Sequence, residues 1–151
     1  MKKSLNAVLT AAFLAFLTPI AANAADVSKS DVTRALSGKG YAVQEFNSNG
    51  VQVNVGGYVV LVFVAGSDQD VSFVHFVSGV TGNELSYEFL NSFNNDVKFG
   101  RAYIDGDGDV ALQMDRNASG GISIQNVESD FEVFLTLINK FLSDLESQAV
   151  V

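Results

Sequence analysis

The sequence runs to 151 residues, a length for one domain around one core. It has no cysteine, which excludes disulfides, thiolate zinc, iron–sulfur clusters and a cysteine nucleophile. Nine basic against 17 acidic residues give a formal charge of −8, which argues against nucleic acid and anionic lipid as partners; at 48% hydrophobic and 17% charged, the chain is too apolar for disorder.

The N-terminus reads as an address. Met1-Lys2-Lys3 is a short basic start, Ala7 to Leu17 is an uncharged apolar run, Pro19 breaks it, and Ala22-Asn23-Ala24 places small residues where a signal peptidase reads. The run is too short for a bilayer, which takes about 20 apolar residues. Residues 1–24 are therefore expected to be a secretory signal peptide cut after Ala24. The mature chain, 25–151, would be periplasmic or secreted, with no membrane insertion once the signal is removed. Cleavage removes Lys2 and Lys3 and no acid, so the formal charge goes from −8 to −10.

Ser28-Lys29-Ser30-Asp31 opens a short helix that either serine can cap, and Gly38 to Gly40 stop it. Tyr41 to Phe46 alternates, and Asn47-Ser48-Asn49-Gly50 reads as a hairpin turn because Asn-Gly tolerates positive φ. Val51, Val53 and Val55 alternate with Gln52 and Asn54, and Gly56-Gly57 makes the next turn. Tyr58 to Ala65 is apolar at every position, which predicts a central strand covered on both faces. Val71 to Val77 follows as a fourth strand, with Val71, Phe73, His75 and Val77 on one face. Short turns make the four an antiparallel meander.

Thr81-Gly82-Asn83-Glu84 has the form of a capping box ahead of a helix bearing Leu85, Phe89, Leu90 and Phe93. Asn91, Asn94 and Asn95, near its end, face solvent or cap it. Lys98 to Asp105 and Asp109 to Met114 form a second hairpin, with Gly100, Ala102 and Ile104 opposite Val110, Leu112 and Met114 and with Phe99, Arg101 and Tyr103 pointing the other way. After an Asn117-to-Gly121 loop, Ser123 caps a long helix whose apolar stripe is Val127, Phe131, Phe134, Leu135, Ile138, Phe141, Leu142 and Leu145. The order αββββαββα is an α+β fold, helices on a mostly antiparallel twisted sheet.

Three clusters carry candidate chemistry. Asp105, Asp107 and Asp109 stand at the first, third and fifth positions of a calcium loop, but Val110 replaces the turning glycine and Arg116 the bidentate glutamate. The same Asp-Gly repeat suits a solvated hairpin tip. His75, the one histidine, lacks His-x-His or His-Glu-x-x-His partners and reads as a packing residue. A hydrolase would need a pocket that gathers it with a carboxylate and a hydroxyl. Phe99, Arg101 and Tyr103 are residue types that anchor a peptide or a second subunit, while the plainer role for Arg101 is an ion pair with Asp109, Asp115 or Glu88. No catalytic residue, cofactor site or phosphate loop is read from the sequence.

Leu90-Asn91-Ser92-Phe93-Asn94, Phe99-Gly100-Arg101-Ala102-Tyr103-Ile104-Asp105 and Asp107-Gly108-Asp109-Val110, with Leu112, Met114 and Asp115, resemble the YbjN-type bacterial domain. Gly40-Tyr41 and Gly120-Gly121-Ile122-Ser123 continue the similarity over nearly all of the mature chain. The resemblance implies a type III secretion chaperone-like fold, often paired as a homodimer, and a role labelled sensory transduction regulation. The sequence departs from the pattern in having Phe93 where tryptophan is frequent, and in its export signal. The function expected is an exported, non-enzymatic protein-binding, chaperone-like or regulatory domain whose partner is another protein or itself. An apolar sheet larger than three helices can cover would supply the surface. The alternative is a small-ligand or calcium module at the Asp105–Asp109 tip.

Overall fold

The computed structural model describes residues 26–148, so the expected signal segment lies outside the described residues. The elements run α1 (Lys29–Gly38), β1 (Ala42–Glu45), β2 (Gly50–Val55), β3 (Tyr58–Ala65), β4 (Asp70–Thr81), α2 (Tyr87–Asp96), β5 (Gly100–Ile104), β6 (Asp109–Arg116) and α3 (Ile124–Gln148). The strands form one antiparallel sheet in the order β1-β2-β3-β4-β6-β5. The α+β order matches the sequence reading element for element.

Ser28 caps α1 through a reciprocal box with Asp31, whose carboxyl is held below its usual range by the Ser28 hydroxyl and backbone N–H. Ser123 and Asn126 cap α3 in the same reciprocal way. The third cap differs from expectation. Glu84 does accept from the Thr81 N–H and hydroxyl, at 2.7 and 2.9 Å, but these bonds close a turn at the end of β4. α2 begins later, at Tyr87, capped by Ser86. β4 is also longer than expected, running to Thr81 through an irregularity after Phe76.

The Asn49-Gly50 turn uses its glycine differently from a positive-φ hairpin. Neither residue has positive φ, and Gly50 is needed because a Cβ there would lie 2.6 Å from Phe63 Cδ1. Phe63 therefore leans across the glycine and meets Phe46 edge-on at 5.8 Å. Gly56 and Gly57, at φ 57° and 88°, make the tight β2–β3 turn as read.

Sheet register assigns the two faces. Val51, Val53, Val60, Val62, Val64, Val71, Phe73, Val77, Ala102, Val110, Leu112 and Met114 share one parity and belong to the core. All three helices pack there. α3 lays Phe131 and Phe134 against Phe73, α2 sets Phe89 and Phe93 against Phe141 of α3, and α1 contributes Val32 and Leu36. Five fully buried phenylalanines, at about 1.5–3 kcal/mol each, make this layer the main source of stability. Among the described residues, the opposite face has no helix layer over it. β3 is central, as its apolar run predicts, but it is covered on one face only: Val59 is 43% exposed while Val60 and Val62 are sealed.

Candidate partner-binding face

The uncovered face is built from the alternate residues of every strand. Across it, in register, one row reads Gln44, Gln52, Leu61, Val74, Gln113 and Arg101, and another pairs Ala42 with Asn54 and Val59, and Ala111 with Tyr103. Its middle, on β3 and β4, is apolar: Val59, Leu61, Phe63, Val74 and Phe76, with Phe46 at one corner. Val59, Phe76 and Phe46 expose 42–49% of their surface, high for large apolar side chains in or beside strands.

Polar groups flank this centre on both sides. On β2 the Gln52 side chain donates to Asn54 at 3.2 Å. On β6 and β5 the Asp115 carboxylate accepts from the Ser72 hydroxyl at 2.7 Å and from the Gln113 amide at 2.8 Å, and Gln113 accepts in turn from Arg101 at 3.1 Å. An apolar middle with a hydrogen-bonded border is the anatomy of a protein interface.

The residues singled out from sequence fall into three places. Arg101 and Tyr103 are on the open face, as the alternation required, with the guanidinium 5.4 Å from the Tyr103 ring centre. Of the acids considered for Arg101, Asp115 is the one in reach, at 4.0 Å, with Gln113 between them in the network. Phe99 lies just before β5 rather than within it. It is 75% exposed and held at φ 71°, a left-handed conformation that costs a bulky residue about 1–2 kcal/mol.

Asp105, Asp107 and Asp109 form the β5–β6 hairpin tip. Asp105 Oδ1 accepts from the backbone N–H groups of Asp107 and Asp109, both at 2.9 Å, which is an Asx turn. Among the described residues, no group of three histidine, cysteine or acidic side chains is placed to hold a metal ion. His75 is 6% exposed on the covered face. Its Nδ1 is 2.8 Å from the Val59 carbonyl and its ring meets Tyr58 edge-on. Burial pushes its pKa down, with the carbonyl pulling the other way.

Two arrangements escaped the sequence reading. Asp130, in the buried stripe of α3, takes a bidentate pair of 2.6 Å bonds from Arg116 at the end of β6. The pair raises the Arg116 pKa. Asn94, expected to face solvent or cap α2, instead reaches the β5 backbone: Oδ1 accepts from the Ala102 N–H at 2.7 Å, and Nδ2 donates to the Ala102 carbonyl at 3.0 Å. A capping or hairpin motif is local in sequence. These bonds cross between elements and leave no periodicity to read.

Comparison with known proteins gives three findings. The sequence profile of the YbjN family, described as "Putative bacterial sensory transduction regulator", matches residues 28–147. No curated protein matches the sequence. Among solved structures, the fold is similar to "YbjN, a putative transcription regulator from E. coli", with TM-score 0.62 and 12% identity, covering 83% of this chain and 94% of that one. It is also similar to the Yersinia pestis type III secretion chaperone SycH, solved in complex with a stable fragment of YscM2, with TM-score 0.53 and 17% identity, covering 76% of this chain and 97% of that one.

Proposed function

This chain belongs to the YbjN family, and on that premise we propose that it is an exported, non-enzymatic protein-binding domain of chaperone-like or regulatory type. Its open sheet face closes against another polypeptide, in the first place a second copy of itself. The observation that carries this reading is the one-sided sheet: Val59 and Phe76 stand exposed at the centre of a face bordered by the Ser72–Asp115–Gln113–Arg101 network. Six strands at about 4.8 Å spacing make this face roughly 24 Å across, room for another layer of helices or strands.

Other features support parts of the reading. SycH, similar in fold, holds a YscM2 fragment in its solved complex. His75 is bonded to a backbone carbonyl in the packed layer, which favours a structural role over a catalytic one. The basic start, apolar run and Ala22-Asn23-Ala24 favour export.

Sedimentation of the mature protein tests the association. The wild type is expected to dimerise, with Phe76→Asp weakening the dimer at least about 100-fold, as a charge at the centre of a buried interface does. The core face is untouched, so the variant should remain folded, with a Tm that loses the concentration dependence of the wild type. A wild type that stays monomeric at every concentration and binds no apolar dye would overturn the proposal.

A further inference from the structure

β5 is an edge of the sheet. In an antiparallel ladder, the backbone groups of alternate residues point away from the paired strand. The Asp105 N–H to Asp109 carbonyl bond at the hairpin end sets the parity: Arg101 and Tyr103 bond inward to β6, and Gly100, Ala102 and Ile104 face outward. Outward-facing groups on an edge are a template for another strand.

At the middle of this edge the template is already filled. The Asn94 amide makes both bonds to Ala102, at 2.7 and 3.0 Å, that the opposing residue of a seventh strand would make. α2 is fixed in place for this by Phe89 and Phe93, whose rings meet Phe141 at 5.5 and 5.0 Å. The helix itself gains nothing from asparagine there, since alanine is the better helix former.

We propose that Asn94 is an edge lock, which holds α2 across β5 and so closes that edge against strand addition by the β5 of a second copy. That occupant suits the edge. Antiparallel pairing about Ala102 sets each Arg101 opposite the Tyr103 of the other copy, a pair whose members already attract each other within one chain. The inference stands on the Asn94 geometry and does not need the open face to bind anything.

The test combines amide exchange on the wild type with variants in a Phe76→Asp background, which removes association through the open face. The Ala102 amide is expected to exchange at least about tenfold more slowly than those of Gly100 and Ile104. Asn94→Ala is expected to form larger species as concentration rises, and an acetylated peptide of residues 98–105 should compete with them. Asn94→Asp keeps the acceptor for the Ala102 N–H but sets an anion against the carbonyl, and should open the edge in part. Ala102 exchanging as fast as its two outward neighbours would overturn the proposal. So would a folded Asn94→Ala that sediments like its parent at every concentration. If both variants fail to fold, the wild-type exchange pattern decides.

Discussion

His75 shows how one buried side chain couples this fold to pH. Its unfolded pKa is near 6.5, and burial depresses the folded value despite the Val59 carbonyl. Its contribution to stability is therefore complete above about pH 6.5 and is lost as pH falls through the lower folded pKa, because the unfolded chain binds the extra proton. Thermal melts between pH 7.5 and 5.5 should show the wild-type Tm falling as acid is added, and His75→Gln should flatten that slope. An equal slope in the variant would assign the effect to other groups. Phe99 is the second instructive residue. A strained and exposed aromatic is hard to explain by stability and easy to explain by contact, and it sits next to the Arg101 and Tyr103 strand.

At the scale of elements, Arg116 and Asp130 tie the end of β6 to α3. Asp130 is 6% exposed, so removing its partner or itself disturbs a largely desolvated pair, although the Arg116 side chain retains 38% of its exposure and can rehydrate. Asp130→Ala is expected to lower unfolding free energy by about 2–3 kcal/mol in urea titration, and Asp130→Asn by less. No change in either would show that the pair is solvated in solution. The pair also marks where sequence patterns stop being informative. The β5–β6 register was legible because Gly100, Ala102 and Ile104 alternate with Phe99, Arg101 and Tyr103. The start of α2 was not, because Thr81 and Glu84 make the same local bonds in a turn as in a cap. Strand β3 was legible as central but silent about its cover, since apolar residues at both parities leave periodicity nothing to separate.

For the whole molecule, helices on one face of the sheet leave half of a sandwich unmade among the described residues. Family and fold were readable from the residues because short motifs and the αββββαββα order recur together. The open face became visible only when register showed which parity the helices take. The export reading belongs to this scale as well. Expressed as residues 1–151 in a bacterial host, the chain should accumulate in the periplasmic fraction with the mass of a product beginning at Ala25. A full-length cytoplasmic product would contradict it. The strand order carries one more consequence. β4 finds its second neighbour in β6, where Ser72 bonds to Asp115 43 positions further along. A chain threaded from its N-terminus completes the meander long before that neighbour emerges. During the interval β4 is a raw margin bearing Phe73 and Phe76, open to wrong pairings until the last hairpin arrives.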